Sequence, residues 1–568
     1  MVRAMFMGFR RAIVFAALAA LLAVGSASAR SVCTGSCYVA PAGSGALFVF
    51  TGHGWGHGVG MSQYGAYGYA QHGWTYPKIL AHYYPGTKLG RTATTSIRVL
   101  LADRQKTVKI SSTVPFTVTD GSGARHTLAA GAFSFGTALQ LPVDGGALQP
   151  LTAPLTFSPG SGGSLTLGRA YRGRILVDVV DGKLRAINIV PLEQYLYGVV
   201  PAEMPSSWLP NALDAQAIAS RSYALATRQL AAPFDVYSDT RSQMYLGIGA
   251  EQPSTTAAVT ATAGQVLLYK DAVATTVFFS TSGGETSSSA DAWGGKPTPY
   301  LVSVPDPYDV ISPFHDWGPV PVTAQTLAKA LHVVGTVADV TTTLNLSGRV
   351  SQLDLTTLTP SSTFPLLSTV GANTVEGALG LRSTWFDVGV LSLSPPIPSL
   401  PVPYGSTVQL SGVVRGVGGV SLEQRPSSAT WQPLGPVVTQ PDGTVQLLET
   451  PTITTDYRLA TTQAAAAYVR VKVMPVVTLA APAAPTMLQG TITPALAGAP
   501  VQIQQLGPSG VTWTTVATGT VDPTVASTTE ATGTFTVPLP LTAGTYRAVI
   551  APGHGYSPGT SAPLTVSG

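Results

Sequence analysis

Charged side chains are scarce in this chain: Lys and Arg number 31 and Asp and Glu 27, only 10% of 568 residues, and the formal net charge is +4. Typical globular domains carry about 25% charged residues. The basic residues form no runs, whereas a nucleic-acid-binding surface needs clustered Lys and Arg. The composition therefore argues against nucleic acid as a partner, and the length predicts about three or four domains.

Cysteine is nearly absent, with Cys33 and Cys37 as the two examples. In an exported chain, such a close pair predicts a local disulfide. Together with His53 and His57 the pair resembles a zinc-finger pattern, but the cysteine spacing differs by one residue. Glycines flank both histidines, so no helix presents them as a pair. We therefore predict neither a metal ion nor another cofactor.

Long apolar runs are confined to the N-terminus. Basic residues precede the apolar stretch 12–24, and a small-residue Ala-Ser-Ala cleavage site follows at 27–29. This pattern predicts a signal peptide over residues 1–29. The alternative is an uncleaved anchor helix, for which the run is short. We expect a secreted protein with no integral membrane segment after cleavage of the signal peptide.

The rest of the chain begins with a Gly/Ala-rich connector at 30–45 and a Gly/His-rich stretch. The segment from Tyr76 to Tyr84 has helical character and stops at a Pro-Gly pair. Alternating apolar and polar residues then predict strands, with Asp181-Gly182 as a hairpin turn. The longest predicted helix covers 208–231, with Pro210 tolerated in its first turn.

Composition changes near residue 395. Residues 395–402 form a Pro-rich linker. Two β-rich segments follow, 403–475 and 476–568, and each contains one Trp and a late Tyr. Short strands at regular spacing predict two immunoglobulin-like sandwiches without the framework cysteines.

The stretch 52–66, GHGWGHGVGMSQYGA, alternates glycine with histidine and then offers hydrogen-bonding side chains. A phosphate-binding loop is excluded because no Lys follows the glycines at the required spacing. The glycines themselves predict tight backbone turns.

Glu203, in VVPAEMPSSW, lies among apolar residues and prolines. Such surroundings raise the pKa of a carboxyl group by desolvation, as a general acid requires. The alternative is a glutamate at a helix N-terminus, stabilised by the helix dipole. From the residues alone, Glu193 in PLEQYL is an equal candidate. The polar, aromatic stretch 280–309 suits carbohydrate binding or an ordinary surface loop.

Three long segments resemble the SpoIID/LytB domains of bacterial cell-wall proteins: GHGWGHGVGMSQYGAYGYAQHGWTYPKILAHYYPGT, PLEQYLYGVVPAEMPSSWLPNALDAQAIASRSYAL and TTVFFSTSGGETSSSADAWGGKPTPYLVSVPDPYD. The resemblance implies an α+β domain at 46–394, mostly β-strands with one long helix after the catalytic glutamate. Its parts are a displaced segment at 46–90, a β-rich part at 96–190 and a catalytic part at 191–390.

The resemblance implies a lytic transglycosylase that cleaves MurNAc-GlcNAc bonds of peptidoglycan glycan strands, with or without a need for prior removal of stem peptides. Its catalytic glutamate in the EMP motif corresponds to Glu203. Arg221 is either a sugar contact or the ion-pair partner of an acid. The expected substrate-binding residues, which contact sugar or support the glutamate, are Arg221, Ser222, Tyr223, Ser282, Gly283, Gly284, Thr286, His57, Ser62, Gln63 and Tyr64.

The alternative function is that of a non-catalytic, glycan-binding enhancer of a cell-wall amidase, which would then be its partner. Either function implies a place in the cell wall. Some similar proteins hold zinc through Cys and His in the segment equivalent to 237–247, where this chain has neither. In typical members the 52–66 motif comes last, so the order here predicts a circular permutation, cut between about Leu391 and Gly45.

Overall fold

The computed structural model describes residues 30–359, 361–362, 364–396, 399–427, 429–481, 484–523 and 532–567. The predicted signal peptide lies outside the described residues. Strands prevail over helices along the chain. Within the described ranges, no helix has the length and apolar character needed to cross a membrane.

The helices are short apart from the two that surround Glu203. Two 3-10 turns occur at Ile248–Ala250 and Pro307–Ile311. The α-helices are α1 Gln63–Gln71, α2 Tyr76–Tyr83, α3 Leu192–Glu203, α4 Pro210–Ala226, α5 Pro253–Ala261, α6 Ser289–Trp293, α7 Ala324–Ala330 and α8 Ala372–Leu379.

The first sixteen strands precede helix α3. They are β1 Tyr38–Val39, β2 Leu47–His53, β3 Met61–Ser62, β4 Lys88–Arg91, β5 Ser96–Gln105, β6 Thr107–Ser112, β7 Phe116–Thr119, β8 Arg125–Leu128, β9 Gly131–Gly136, β10 Gln140–Pro142, β11 Leu148–Pro150, β12 Leu155–Ser158, β13 Leu165–Leu167, β14 Arg169–Tyr171, β15 Arg174–Val180 and β16 Lys183–Pro191.

The strands of the middle part are β17 Val236–Tyr237, β18 Gln265–Tyr269, β19 Ala272–Val273, β20 Phe278–Phe279, β21 Asp316–Thr323, β22 Thr336–Leu344, β23 Val350–Leu358, β24 Leu366–Gly371 and β25 Phe386–Ser394.

The C-terminal strands are β26 Val402–Pro403, β27 Val408–Arg415, β28 Ser421–Pro426, β29 Gln432–Pro436, β30 Thr444–Glu449, β31 Thr455–Ala460, β32 Ala464–Ala465, β33 Val469–Val471, β34 Val473–Met474, β35 Val476–Leu479, β36 Met487–Thr493, β37 Pro500–Leu506, β38 Trp513–Thr520, β39 Gly533–Pro538, β40 Gly544–Ile550, β41 Gly559–Thr560 and β42 Leu564–Val566.

The β-rich part 96–190 forms a seven-stranded sheet in the order β17-β5-β16-β15-β12-β7-β8 and a four-stranded sheet in the order β14-β13-β6-β9. Apolar side chains of both sheets share one core with α3 and α4. The predicted turn at Asp181-Gly182 is confirmed: both residues have positive φ, 48° and 66°, and Val180 pairs with Lys183. This backbone suits the two-residue hairpin turns that match strand twist.

Helix α4 lies at the centre of the 46–394 region, and its start and end fall inside the predicted range 208–231. Its residues are buried on almost every side, which is the behaviour of a helix without a polar face. One side faces the core of the β-rich part, and the other faces a core that contains α1 and α2. Small alanines along α4 allow this close packing.

Strand β2, just before the 52–66 motif, pairs antiparallel with β25, at the far end of the same region. Leu47 lies opposite Leu391, and Phe50 lies opposite Val388. A hairpin between the end of β25 and the start of β2 would give this same pairing, as the permuted order requires. The permutation itself remains a prediction.

The Pro-rich stretch 395–402 does not separate independent sheets, because β25 pairs with β27 across it in the order β21-β2-β25-β27-β30. The predicted connector 30–45 also contacts the C-terminal part, since Tyr38 pairs with Ala464. Within it a disulfide joins Cys33 to Cys37, whose Cα atoms are 5.4 Å apart. The immunoglobulin-like assignment of the two C-terminal regions stays a prediction.

Candidate active site

Glu203 is the last residue of α3, and the chain turns to extended backbone at Met204 before α4 begins at Pro210. The sequence predicted a strand end here and missed α3. The alternative of a helix N-terminal glutamate is wrong, since Glu203 lies at the carboxyl end. There the helix dipole gives no stabilisation to a negative charge.

The Glu203 carboxyl group opens onto a cleft of about 360 Å³. Side chains from four separate segments form its walls, and their mixture of aromatic rings and hydroxyl groups suits a sugar ring. The lining residues are His57, Glu203, Tyr223, Thr240, Ser242, Met244, Val277, Phe278 and Trp293. Glu203 is the one carboxylate among them. His57, Glu203 and Tyr223 are thus brought together as predicted.

The surroundings of Glu203 favour its protonated form. Burial raises the pKa of its carboxyl group above the ordinary value, and a hydrogen bond from the Met244 N–H to Oε1, of 3.0 Å, lowers it by a smaller amount. A carboxyl group with few donors and partial solvent access can keep its proton and still deliver it to a ligand.

Gln63, from the Gly/His-rich stretch, holds the backbone of the catalytic candidate. Its Nε2 donates to the Glu203 carbonyl oxygen at 2.9 Å. The Gln63 side chain is buried and lies 3.5 Å from the Gln216 Oε1 of α4. Gln63 therefore fixes the backbone at Glu203 and does not line the cleft.

His57 forms the opposite wall of the cleft. Burial lowers the pKa of its imidazole to about 4, a hydrogen bond with the Phe278 backbone opposes this shift, and the positive charge of Arg349 adds to it. Nδ1 accepts a hydrogen bond from the Val59 N–H at 3.1 Å. His57 is therefore neutral near pH 7. Its ring contacts that of Trp293, with centroids 5.2 Å apart.

The glycines of the 52–66 motif adopt the backbone that the sequence predicted. Gly54, Gly56, Gly58 and Gly60 have φ between +74° and +106°. A Cβ atom at Gly60 would overlap the carbonyl oxygen of Val277. The motif is thus a series of tight turns packed against residues 277–279, which include the cleft residues Val277 and Phe278.

A second carboxylate, Asp309, joins two of the segments that resemble the family. It is fully buried. Its Oδ1 accepts from the Ser62 hydroxyl at 2.9 Å and from the Ser282 N–H at 3.1 Å, and its Oδ2 accepts from the Gly283 N–H at 2.8 Å. His315 Nδ1 lies 3.1 Å from Oδ2. We name this arrangement the Asp309 centre.

Asp306 lies beside the Asp309 centre and is also fully buried. Burial and, to a smaller extent, the negative charge of Asp309 raise the pKa of its carboxyl group to about 7, against the opposing effect of hydrogen bonds from Ser282, Tyr83 and Ser62. The Tyr83 hydroxyl donates to Asp306 Oδ1 at 2.9 Å. Neither aspartate belongs to a periodic pattern, and both lie in the run PDPYD.

The structure supports the ion-pair alternative for Arg221. Its guanidinium is completely buried and makes a bidentate pair with Glu193, at 3.1 Å and 2.5 Å. Glu193, the equal candidate from sequence alone, is thereby occupied. Ser222 is also buried, and its hydroxyl donates to the Ile218 carbonyl oxygen. A sugar does not reach either Arg221 or Ser222, which corrects the predicted contacts.

Six other predicted contacts do not line the cleft. Ser62, Ser282 and Gly283 belong to the Asp309 centre, and Gly284 donates its N–H to the Ser282 hydroxyl. The buried Thr286 hydroxyl faces the carbonyl oxygens of Val302 and Val304. The Tyr64 ring packs edge-on against Trp208, 4.9 Å between centroids. These polar groups are used inside the protein, so the predicted sugar contacts are replaced by structural ones.

Sequence reasoning missed several lining residues. Trp293, at the end of α6, is 52% exposed and offers a flat apolar surface to the cleft. Thr240, Ser242 and Met244 come from a segment considered only for zinc. The abundance of aromatic residues in 280–309 was the one available signal for Trp293. Among the residues that the structure describes, no three His, Cys, Asp or Glu side chains are grouped as a metal would require.

Residues 180–269 match the family model SpoIID: Stage II sporulation protein. The Stage II sporulation protein D of Bacillus subtilis (strain 168) is 30% identical over 186 residues, which cover 30% of this chain and 53% of that protein. Its Bacillus amyloliquefaciens namesake is 33% identical over 157 residues, 24% of this chain and 45% of that one. The chain thus spans about half the length of these relatives.

An "Amidase enhancer" of Bacillus subtilis (strain 168) is 35% identical over 114 residues, which cover 20% of this chain and 15% of that protein. Among solved structures, a cytokine receptor complex matches 31% of this chain and 96% of its own, at 16% identity and a TM-score of 0.19. That score is too low to establish the fold of any part. Residues 180–269, the segment that matches the SpoIID family model, contain Glu203 and the helices around it.

Proposed function

We propose that this protein is a lytic transglycosylase that cleaves the bond between MurNAc and GlcNAc in peptidoglycan glycan strands. Similarity to Stage II sporulation protein D and to an amidase enhancer supports a cell-wall-related function. The specific reaction rests on one observation: Glu203 is the only carboxylate that lines the 360 Å³ cleft, and its pKa is raised by burial.

One carboxyl group is sufficient for this chemistry. Protonated Glu203 donates its proton to the glycosidic oxygen as the C1–O bond of the muramoyl residue breaks. The resulting carboxylate then accepts the proton of the muramoyl C6 hydroxyl, whose oxygen bonds to C1. The product is a 1,6-anhydro ring, and Glu203 regains its proton without using water. Most glycosidases need two carboxylates because they use water.

The remaining cleft residues support binding and position. Trp293 and Phe278 offer apolar surface to the faces of sugar rings, and Tyr223, Thr240 and Ser242 offer hydroxyl groups. His57 is neutral and carries no imidazolium proton, so proton donation is left to Glu203. These roles agree with the division of a sugar site into apolar walls and a few polar groups.

The second candidate is a non-catalytic enhancer of a cell-wall amidase, because one relative carries the name amidase enhancer. An enhancer would bind glycan through the same cleft, and Glu203 would then serve as a ligand for sugar hydroxyl groups. The two candidates differ in whether new chain ends form in the absence of any amidase.

The test is incubation of the purified protein with glycan strands, with and without stem peptides, followed by mass spectrometry. We expect anhydromuramoyl ends from the wild type and none from Glu203→Gln. The matched control is Glu285→Gln, an exposed glutamate of the same region that does not line the cleft. Glycan binding without products from the wild type would refute the enzyme and favour the enhancer.

A further inference from the structure

A second cavity, of about 540 Å³, lies where the two C-terminal β regions meet. We name it the junction pocket. Backbone hydrogen bonds tie the regions together beside it: the Thr454 N–H donates to the Gly555 carbonyl at 3.0 Å, and the Ser557 N–H donates to the Val473 carbonyl at 2.8 Å. Neither region alone would form the pocket, since both contribute to its wall.

Positive charge dominates the junction pocket. Its lining includes Arg425, Arg470 and Lys472 against a single carboxylate, Asp456. Arg425 Nη2 donates to Asp456 Oδ2 at 2.7 Å, and Arg470 Nε donates to Asp456 Oδ1 at 2.7 Å. One carboxylate compensates one of three cations, so two positive charges remain. In a chain with so few charges, this concentration is unusual.

The arginines are held in place before any ligand arrives. The Arg425 guanidinium lies over the ring of Trp431, at 4.7 Å, and over that of Tyr468, at 5.2 Å. Asp456 is almost fully buried, whereas the side chains of Arg425 and Arg470 are 34% and 51% exposed. A rigid, planar guanidinium that still reaches solvent is well suited to a carboxylate or phosphate group.

We infer that the junction pocket binds an anionic group, a carboxylate or a phosphate, of a cell-wall polymer. Two sources offer this chemistry: the carboxylates of peptidoglycan stem peptides and the phosphodiesters of polymers attached to the wall. Binding there would hold the chain on the wall while the cleft of Glu203 meets a glycan strand. Anion binding at the junction pocket is independent of cleavage at Glu203, and it would make the C-terminal regions the wall-binding part of the chain.

The test measures co-sedimentation of the full-length mature protein with purified cell walls. Four wall preparations are used: intact, stripped of phosphodiester polymers by hydrofluoric acid, stripped of stem peptides by an amidase, and stripped of both. The variant is Lys472→Glu, since Lys472 is exposed and its replacement does not disturb the Asp456 pairs. Lys472→Arg keeps the charge, and Lys106→Glu makes the same charge change at an exposed site in the β-rich part.

On intact walls we expect Lys472→Glu to bind at least about tenfold more weakly, because an attractive charged contact becomes a repulsive one. Lys472→Arg and Lys106→Glu should bind as the wild type does. Loss of wild-type binding to acid-stripped walls assigns the phosphate source, loss on peptide-stripped walls assigns the carboxylate source, and loss only on doubly stripped walls assigns both. Equal binding of Lys472→Glu and wild type, or no wild-type binding to any wall, would overturn the inference.

Discussion

Two acidic groups of this protein, Glu203 and Asp309, lie in segments that resemble the same family, yet their surroundings are opposite. Glu203 is half-buried, faces a cleft and accepts the hydrogen bond of the Met244 N–H. Asp309 is fully buried and accepts from Ser62, Ser282 and Gly283. A carboxylate with several fixed donors is an element of structure, whereas one with few donors and an open side can exchange a proton.

The largest effect should come from removal of the exchangeable proton. We expect Glu203→Gln to lower the cleavage rate at least about a thousandfold, within the range of general acid–base catalysis. The free energy of unfolding should not fall, because Gln keeps the shape of the protonated carboxyl group and its amide oxygen can accept the Met244 N–H. Cleavage assays and chemical denaturation measure the two quantities. A variant that cleaves like the wild type would show that Glu203 is not the acid.

Asp309→Asn, in contrast to Glu203→Gln, should mainly lower the stability of the protein. An amide NH₂ would face backbone N–H donors in a dry interior, which costs about 3 kcal/mol of unfolding free energy. Denaturation of the variant measures this loss. The control is Asp316→Asn, an exposed partner of His53 in the same segment, with an expected change of about 0.5 kcal/mol or less. A stable Asp309→Asn protein would mean that the Asp309 centre does not hold the segments together.

Gly65→Ala tests the packing around the same centre. Gly65 lies in α1, and a Cβ atom there would overlap the Tyr83 hydroxyl and the Asp306 carboxylate. We expect a loss of about 2 kcal/mol from overpacking. Gly377→Ala is the matched control: Gly377 lies in α8 with open space around it, so Ala should stabilise the helix by up to about 1 kcal/mol. Equal effects of both changes on the unfolding midpoint would contradict the proposed packing.

The pH dependence of the cleavage rate should distinguish Glu203 from Asp214, with a smaller effect than the substitutions above. Proton donation needs protonated Glu203, so the rate should fall as pH rises through its raised pKa. Asp214, whose pKa burial raises to about 6, does not line the cleft, and Asp214→Asn should leave this decline unchanged. The pH–rate profiles of the wild type and Asp214→Asn measure this. If the decline is altered in Asp214→Asn, the assignment of Glu203 as the acid is wrong.

The pH dependence of stability should follow Asp306 instead. Folded Asp306 keeps its proton up to about pH 7, whereas the unfolded chain releases it near the ordinary value of 3.8. Its contribution is therefore present below about pH 4 and is lost as pH rises through about 7. His57 acts in the other direction, since stability falls as pH drops from 6.5 towards its lowered pKa of about 4.

Because the two contributions oppose each other, the net change in stability with pH is small. The variant Asp306→Asn isolates the contribution of Asp306. Between about pH 5 and about pH 8, Asp306→Asn should remove the part of the decline that comes from Asp306. Unfolding midpoints of wild type and variant at both values measure the difference. If the wild type and Asp306→Asn change in parallel over this range, Asp306 does not titrate there.

The sequence predicted local features well and partnerships poorly. The α4 helix, the turn at Asp181-Gly182 and the positive φ of the motif glycines all depend on neighbouring residues, and all are present. The role of Arg221 depends on which acid folds beside it, and composition alone left two possibilities. Helix α3 was missed because Pro201 lies inside it and Pro normally breaks a helix.

The candidate site shows the same limit. Glu203 was predicted from its apolar neighbours and from the EMP motif, and the cleft that it lines includes His57 from a distant segment. Ser62 and Ser282 looked like sugar contacts, because a polar side chain near a motif gives no sign of whether it points outward or toward a buried carboxylate. The position of Asp309 decides this, and nothing in its local sequence indicates that it joins two distant segments.

The most direct test of the central claim is cleavage of glycan strands in water labelled with oxygen-18, followed by mass spectrometry of the muramoyl ends. If the Glu203 carboxylate accepts the proton of the C6 hydroxyl, the products carry an anhydro ring and no label. Glu203→Gln should then yield no products. Labelled reducing ends would show that water is the nucleophile and would contradict a single-carboxylate mechanism at Glu203.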